Sequence, residues 1–206
     1  MLFLVVRYTY FMKNRETIAY VLTRILDPVV FLVILIGLFC VRFGVLLNKI
    51  FPFVGIILGA IALPALAVYV YFRKIHWVVD WDVSNRNQRI RLFIVLLALF
   101  LPGLIFLGKI GNPSIELLSW VLYGWFVGHA GITLFWKQSG HTGIATFVLG
   151  ILYEWFGGVV IPFFLLVPIL AWTRIVLHKH TPAQTLGGIV YSILILMLLR
   201  MNGIWY

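Results

Sequence analysis

Apolar residues occur in long blocks along this chain, and short polar segments separate the blocks. A helix needs about 20 apolar residues to cross the hydrocarbon core of a bilayer, and most of the blocks approach that length. The pattern therefore predicts an all-α, polytopic transmembrane helical bundle of about six or seven spans. The predicted spans cover residues 28–47, 52–72, 92–108, 114–135, 143–156, 158–173 and 185–201.

The segment before the first predicted span is basic. It contains Arg7, Lys13, Arg15 and Arg24. We therefore predict that residues 1–27 form a basic leader or interfacial segment, and that residues 28–206 form one transmembrane domain.

Composition excludes a soluble protein. Hydrophobic residues make up 63% of the 206 positions and charged residues 11%, and a soluble chain of this length could not cover so much apolar surface. We expect an integral protein of the cell membrane.

The net charge narrows the expected partners. Sixteen Lys and Arg stand against six Asp and Glu, a formal charge of +10, which in a membrane protein indicates contact with anionic headgroups or phosphates. Nucleic-acid binding is not expected, because the chain has no basic soluble domain. The oligomeric state stays open. So does the orientation of the chain in the membrane, because basic residues with a functional role confound the positive-inside rule.

Three polar segments interrupt the apolar blocks, at 73–91, 137–142 and 174–184. Two predicted spans separate each segment from the next. The fifth and sixth spans, 143–156 and 158–173, are joined by Gly157-Gly158, which indicates a tight helical hairpin. An even number of crossings returns the chain to the same face, so we predict that all three segments share one side of the membrane.

The third polar segment resembles a known phosphatase motif. Arg174, His180 and Gln184 follow the spacing Arg-x5-His-x3-Gln between two apolar blocks, where such charges are costly unless they face water or an anion. This spacing resembles the third motif of the type 2 phosphatidic acid phosphatase family, written S-R-x5-H-x3-D. Here Thr173 stands at the Ser position and Gln184 at the Asp position.

The second polar segment resembles another motif of that family. Ser139-Gly140-His141 follows the pattern P-S-G-H, with Gln138 in place of Pro. Ser and Gly ahead of a helix suit a phosphate, because backbone N–H groups and the positive end of the helix dipole meet there. The alternative is a Ser that caps the helix and a histidine at the membrane interface.

Gln184 also has a structural explanation. Thr181, Pro182 and Gln184 have the spacing of a capping box that starts a helix. The two roles are compatible, since a capping Gln so close to His180 could also reach its imidazole. Gly188 is predicted to let this last helix approach a neighbour closely.

The first polar segment fits the family least well. The family pattern K-x6-R-P is absent, because Asp82 stands seven residues before Arg89 and no Arg-Pro pair occurs. The pattern Asp-x-Asp-x3-Arg-x2-Arg, formed by Asp80, Asp82, Arg86 and Arg89, nevertheless resembles a divergent first motif of some prokaryotic members. Arg86 and Arg89, together with Lys74, are therefore predicted phosphate ligands. The alternative is that they are solvated positive loop residues.

The resemblance implies an integral membrane lipid phosphatase that needs no metal or other cofactor. Its substrate would be a lipid phosphate or diphosphate, with an isoprenoid diphosphate favoured and phosphatidic acid or phosphatidylglycerol phosphate next. His180 would be the nucleophile that forms a phosphohistidine, and His141 would protonate the leaving alkoxide and later activate water. The residues that would hold the phosphoryl oxygens are Arg174, Arg86, Arg89, Lys74, Ser139 and Gly140.

Gln184 is the main departure from the family pattern, and it keeps two alternatives open. A Gln can accept the histidine's hydrogen bond but supplies no negative charge, so the chain could be a non-catalytic protein of the same fold that binds or transports phosphorylated lipid. Asp80 and Asp82 could supply the charge through space. They could also hold a divalent metal, which would favour a metal-dependent lipid headgroup transferase.

Overall fold

Most of the described chain is helical. The computed structural model describes the backbone of residues 2–43 and 47–204 and the side chains of residues 14–43 and 50–204. Arg7 and Lys13 of the predicted leader thus lie outside the described side chains. The described residues contain no strand, and their α-helices are α1 (Leu2–Ile25), α2 (Pro28–Arg42), α3 (Leu47–Ile56), α4 (Leu63–Lys74), α5 (Arg86–Gly108), α6 (Pro113–Phe135), α7 (Gly140–Phe156), α8 (Leu166–Val176) and α9 (Pro182–Met201).

Two shorter helical forms join neighbouring α-helices. A π-helical segment, Ile57–Ala62, connects α3 to α4, and a 3-10 segment, Gly157–Leu165, connects α7 to α8. Six helical stretches within the described residues are long and apolar enough to cross a membrane: Asn14–Arg42, Ile50–Lys74, Arg86–Gly108, Pro113–Phe135, Gly140–Val176 and Pro182–Met201. These helices confirm the predicted all-α transmembrane bundle. They also confirm the prediction that the chain is an integral membrane protein.

The helices divide into two compact units. The first contains Met1–Leu38 and Gln138–Tyr206, and the second contains Phe39–Lys137. In the first unit α1 contacts α8, and α7 contacts both α8 and α9. The boundary predicted between a leader ending at residue 27 and a membrane domain stays a prediction.

Helix α7 is the centre of the first unit. Every residue from Thr142 to Leu149 is buried, so its side chains face neighbours on all sides, as expected of a helix at the core of a bundle. At its end Gly157 adopts a φ of +66°, a conformation open to glycine at little cost. The chain then returns along α7, because the 3-10 segment and α8 both contact it. The predicted hairpin at Gly157-Gly158 is therefore present.

The return of that hairpin begins as a 3-10 helix, which the sequence analysis did not predict. Pro162 lies inside the 3-10 segment. Proline has no N–H to donate and clashes with the preceding turn of an α-helix, which favours a different helical form there. Regular α-helix resumes at Leu166.

In the second unit α5 packs against α6, and the helices before the 75–85 loop pack against α5. A small core of Phe72, Val78, Val83 and Leu92 lies under that loop. Asn85 then caps α5 by accepting hydrogen bonds from the N–H groups of the helix's first turn. The predicted first polar segment is thus a loop fixed at both ends by helices.

Candidate active site

The second and third polar segments meet at the starts of α7 and α9. The Ser139 N–H donates to the Gln184 carbonyl at 2.9 Å, and the Thr142 hydroxyl donates to the Thr185 carbonyl at 2.9 Å. Gly188 permits this approach, because a Cβ there would clash with the Ser139 carbonyl. The close approach predicted for Gly188 is confirmed, and so is the shared side of these two segments.

A tight turn carries Arg174 to His180. The N–H groups of Lys179 and His180 both donate to the Arg174 carbonyl, at 3.0 and 3.2 Å. His178, which precedes Lys179 in the chain, takes a left-handed conformation with φ of +53°. The five-residue spacing between Arg174 and His180 is therefore set by one compact loop from the end of α8 to the start of α9.

The Gln184 side chain caps the start of α9 and also contacts His180. Its Oε1 atom accepts the Thr181 N–H at 3.2 Å and lies 3.2 Å from Nδ1 of His180. The backbone N–H of Gln184 donates to the Thr181 hydroxyl, which completes the predicted capping box. The structure thus brings together the two roles that the sequence analysis left open.

These contacts determine the tautomer of His180. A backbone N–H can only donate, so the Gln184 atom that faces Thr181 must be the carbonyl oxygen. That oxygen can only accept, so Nδ1 of His180 must carry the proton. In the neutral ring Nε2 then keeps its lone pair, which is the state that a histidine nucleophile requires. The His180 side chain is buried, with 6% of its surface exposed.

Arg174 forms a hydrogen bond with a residue of α1. Its side chain is 1% exposed, and Nη1 donates to the hydroxyl of Thr23 at 3.0 Å. Burying a guanidinium is costly unless its N–H groups find acceptors, and Thr23, fully buried itself, provides one. The sequence analysis did not identify Thr23, since it assigned residues 1–27 to a leader.

His141 also faces the N-terminal part of the chain. It lies in the first turn of α7, and its Nε2 is 3.9 Å from Oδ2 of Asp27, an ion-pair distance. The same carboxylate oxygen lies 4.0 Å from Nη1 of Arg24. Asp27 was not among the predicted site residues. Its Asp-Pro sequence, an acceptor followed by a Pro at the first helical position, is the local signal that marks it as a helix cap.

Ser139 and Gly140 stand at the start of α7. Ser139 is fully buried, and its hydroxyl accepts the Thr142 N–H at 3.4 Å. The helix-capping alternative for Ser139 therefore describes its side chain. Gly140 is the first residue of α7, where amides point out of the helix end and suit an anion. A phosphate-binding role for both residues stays a prediction.

The predicted ligands of the first segment lie in the second unit. Arg89 is buried, and its guanidinium donates to the carbonyls of Val83 and, at 3.5 Å, Asp82. Arg86 is exposed, and its Nη1 donates to the Phe135 carbonyl at 2.8 Å. Lys74 is exposed at the end of α4. That these three join the histidines in one site stays a prediction.

The acidic pair of the first segment organises its own loop. Asp80 accepts hydrogen bonds from the N–H groups of Asp82 and Ser84 and from the Ser84 hydroxyl. This is the local pattern of an Asx turn. No group of three or more His, Cys, Asp or Glu within the described part of the chain is placed to hold a metal ion.

Comparison with known families gives a match to the C-terminal part of the chain. The sequence model of the PAP2 superfamily, the type 2 phosphatidic acid phosphatases, matches residues 134–202. No curated protein and no solved structure matches the chain. The matched segment contains both histidine motifs. It ends one residue after Met201, the last residue of α9. Residues 134–202 thus match the PAP2 superfamily and support phosphatase activity on phosphate esters, which confirms the resemblance found in the sequence motifs.

Proposed function

We propose that this protein is a lipid phosphatase that hydrolyses a lipid phosphate or diphosphate through a phosphohistidine on His180. The observation that supports it most directly is the pair of hydrogen bonds at Gln184 Oε1, which place the proton of the neutral His180 ring on Nδ1 and leave Nε2 unprotonated. His180 lies between the end of α8 and the start of α9, two helices of candidate spans. A lipid headgroup at the membrane surface can reach such a position.

In the first step His180 Nε2 attacks the phosphorus. The bond between phosphorus and the leaving oxygen breaks, and protonated His141 transfers its proton to that oxygen. The products are the phosphohistidine and the dephosphorylated lipid, or the lipid monophosphate when the substrate is a diphosphate. General acid catalysis of this kind typically contributes about 10²- to 10⁴-fold.

In the second step water attacks the phosphohistidine. Neutral His141 takes a proton from the water, the P–N bond breaks, and its electron pair returns to Nε2 of His180. Inorganic phosphate leaves, and both histidines regain their starting protonation. Dividing the reaction through a covalent intermediate is a general strategy for slow displacements.

Arg174 and the first amides of α7 are the proposed ligands of the phosphoryl oxygens, with Gly140 and Ser139 at the helix start. Arg86, Arg89 and Lys74 are proposed to complete them. Enzymes that act on phosphate monoesters can lower the barrier by more than about 20 kcal/mol. Each charge-assisted hydrogen bond contributes about 1.5–3 kcal/mol, so several such ligands are needed alongside the covalent route.

The proposed substrate order is an isoprenoid diphosphate first, then phosphatidic acid or phosphatidylglycerol phosphate, in the cell membrane. A second candidate function is binding or transport of a phosphorylated lipid without turnover. The neutral oxygen beside His180 supports this alternative, because it orients the imidazole without stabilising a positive charge on it.

The test is phosphate release by the purified protein in detergent. Undecaprenyl diphosphate and phosphatidic acid are supplied with EDTA present, to the wild type and to His180→Ala and His141→Ala. We expect release from the wild type, none from His180→Ala, and release lowered about 10²- to 10⁴-fold but still measurable in His141→Ala. The matched control is His178→Asn in the same loop, since Asn tolerates the left-handed conformation of His178, and it should retain activity. Lipid phosphate binding without release would favour the second candidate.

A further inference from the structure

We propose that Asp27 is the positioning carboxylate of His141, so that this chain places a negative charge beside the proton donor. The inference rests on the proposed function. His180 receives a neutral oxygen from Gln184. Asp27 lies at ion-pair distance from the other candidate catalytic histidine, with its Oδ2 3.9 Å from Nε2 of His141.

The other acidic residues of this unit are placed elsewhere. Glu154 pairs with Arg200 at 3.2 Å, near the opposite end of α7 from His141. Glu16 is exposed on α1, about three turns before Asp27. Asp27 is therefore the carboxylate that the fold brings to the start of α7.

The electrostatic surroundings give Asp27 a function. The other ionisable groups of the α1 end and of the α8–α9 loop are basic: Arg24, Arg174, His178, Lys179 and His180. Arg24, whose Nη1 lies 4.0 Å from the same Asp27 oxygen, disfavours a positive charge on His141, although the first chemical step requires its protonated form. A carboxylate at ion-pair distance favours that form. It also favours the return of the proton from water in the second step.

Asp27 is held in place for this role by its own helix. Its Oδ1 accepts the Val29 N–H at 3.0 Å and so caps α2, while its Oδ2 faces His141 and Arg24. One oxygen fixes the carboxylate and the other faces the imidazole. Capping and charge are therefore carried by the same side chain and can be separated by substitution.

Asp27→Asn separates them, because Asn caps helices about as well as Asp but carries no charge. We expect kcat for the lipid substrate to fall about 10- to 100-fold, part of the contribution of a general acid, with KM and the melting temperature near the wild-type values. Asp27→Glu should restore part of the loss. In the His141→Ala background the same substitution should have no further effect.

The leaving group provides a readout that a purely structural role would not change. p-Nitrophenyl phosphate releases a stable anion that needs no protonation, so the Asp27→Asn deficit should be several-fold smaller with it than with an alkyl phosphate. An equal deficit with both substrates would overturn the proposal. So would an additive loss in the His141→Ala background, or full activity of Asp27→Asn.

A measurement that needs no turnover keeps the two proposals apart. Nitrogen-15 NMR of histidine-labelled protein in detergent reports the imidazolium fraction of His141, assigned with His141→Ala. At a fixed pH near neutrality we expect a smaller fraction in Asp27→Asn than in the wild type, and an unchanged fraction would overturn the role of Asp27. If the fraction changes but the wild type releases no phosphate, the proposed function fails and the electrostatic coupling stands.

Discussion

The Oε1 atom of Gln184 lies 3.2 Å from Nδ1 of His180 and accepts the N–H of Thr181 as well. One side chain therefore caps α9 and orients the candidate nucleophile. The family pattern has an Asp at this position, which would add a negative charge. Here the tautomer is fixed by geometry alone, so the loss of this contact should cost activity without the loss of a charge.

Gln184→Met is expected to lower kcat about 100-fold, because a side chain of similar length without an acceptor leaves His180 free to change tautomer. The loss should stay below the roughly 10⁴-fold that follows removal of the carboxylate of a serine-protease triad, since no charge is removed. Steady-state phosphate release measures it. The control is Thr181→Ala, which removes only the hydroxyl cap and should cost about 1 kcal/mol of stability with little change in kcat. Equal kcat losses in both variants would contradict the orienting role.

Gly188→Ala is expected to destabilise the protein by about 1–3 kcal/mol, because its Cβ would overlap the Ser139 carbonyl, which belongs to the backbone and cannot rotate away. Thermal unfolding in detergent measures the change. Gly124→Ala is the control, since a Cβ at Gly124 meets nothing within 4 Å and Ala favours a helix. A Gly188 variant as stable as the Gly124 variant would contradict the close packing of α7 and α9.

Arg174→Lys is expected to lower kcat/KM by at least about 100-fold. A lysine cannot donate to Thr23 and to a phosphoryl oxygen with the fixed geometry of a guanidinium. Thr23→Val, which removes the hydroxyl acceptor at nearly constant volume, should cost about 1–3 kcal/mol of stability. Arg200→Lys is the control, because Arg200 pairs with Glu154 away from the site. Wild-type kcat/KM in Arg174→Lys would refute the proposed phosphate contact.

Arg89→Gln is expected to lower both stability and phosphate release. The buried guanidinium of Arg89 donates to the Val83 carbonyl in the 75–85 loop. Losing this hydrogen bond should lower the free energy of unfolding by about 1–3 kcal/mol. Arg91→Gln is the matched control two residues away, where the exposed guanidinium lies over the Trp77 ring. Phosphate release that is unchanged when Arg89 is replaced would remove it from the proposed ligands.

Features set by neighbouring residues could be predicted from the sequence. The capping box at Thr181, the break at Gly157 and the spans themselves depend on local hydrogen bonding and on apolar length. The shared side of the second and third polar segments also followed, because an even number of crossings returns the chain to one face. The hydrogen bond between Ser139 and Gln184 agrees with it.

Contacts across the sequence could not be predicted in this way. Thr23 and Arg174 are 151 positions apart, and nothing in the local pattern around Thr23 or Asp27 indicates a buried arginine or a histidine partner. A threonine and an Asp-Pro pair beside an apolar block have ordinary local explanations. Their roles depend on how α1 packs against α8, which is a property of the folded unit.

The central claim, that His180 forms a phosphohistidine, is tested most directly by trapping the intermediate. The purified protein is mixed with phosphatidic acid or undecaprenyl diphosphate, quenched in alkali within the first turnover, and digested for mass spectrometry. We predict a phosphoryl group on His180 in the wild type and none in His180→Ala. Wild-type turnover without a phosphoryl group on His180, or with the group on His178 of the same peptide, would contradict the mechanism.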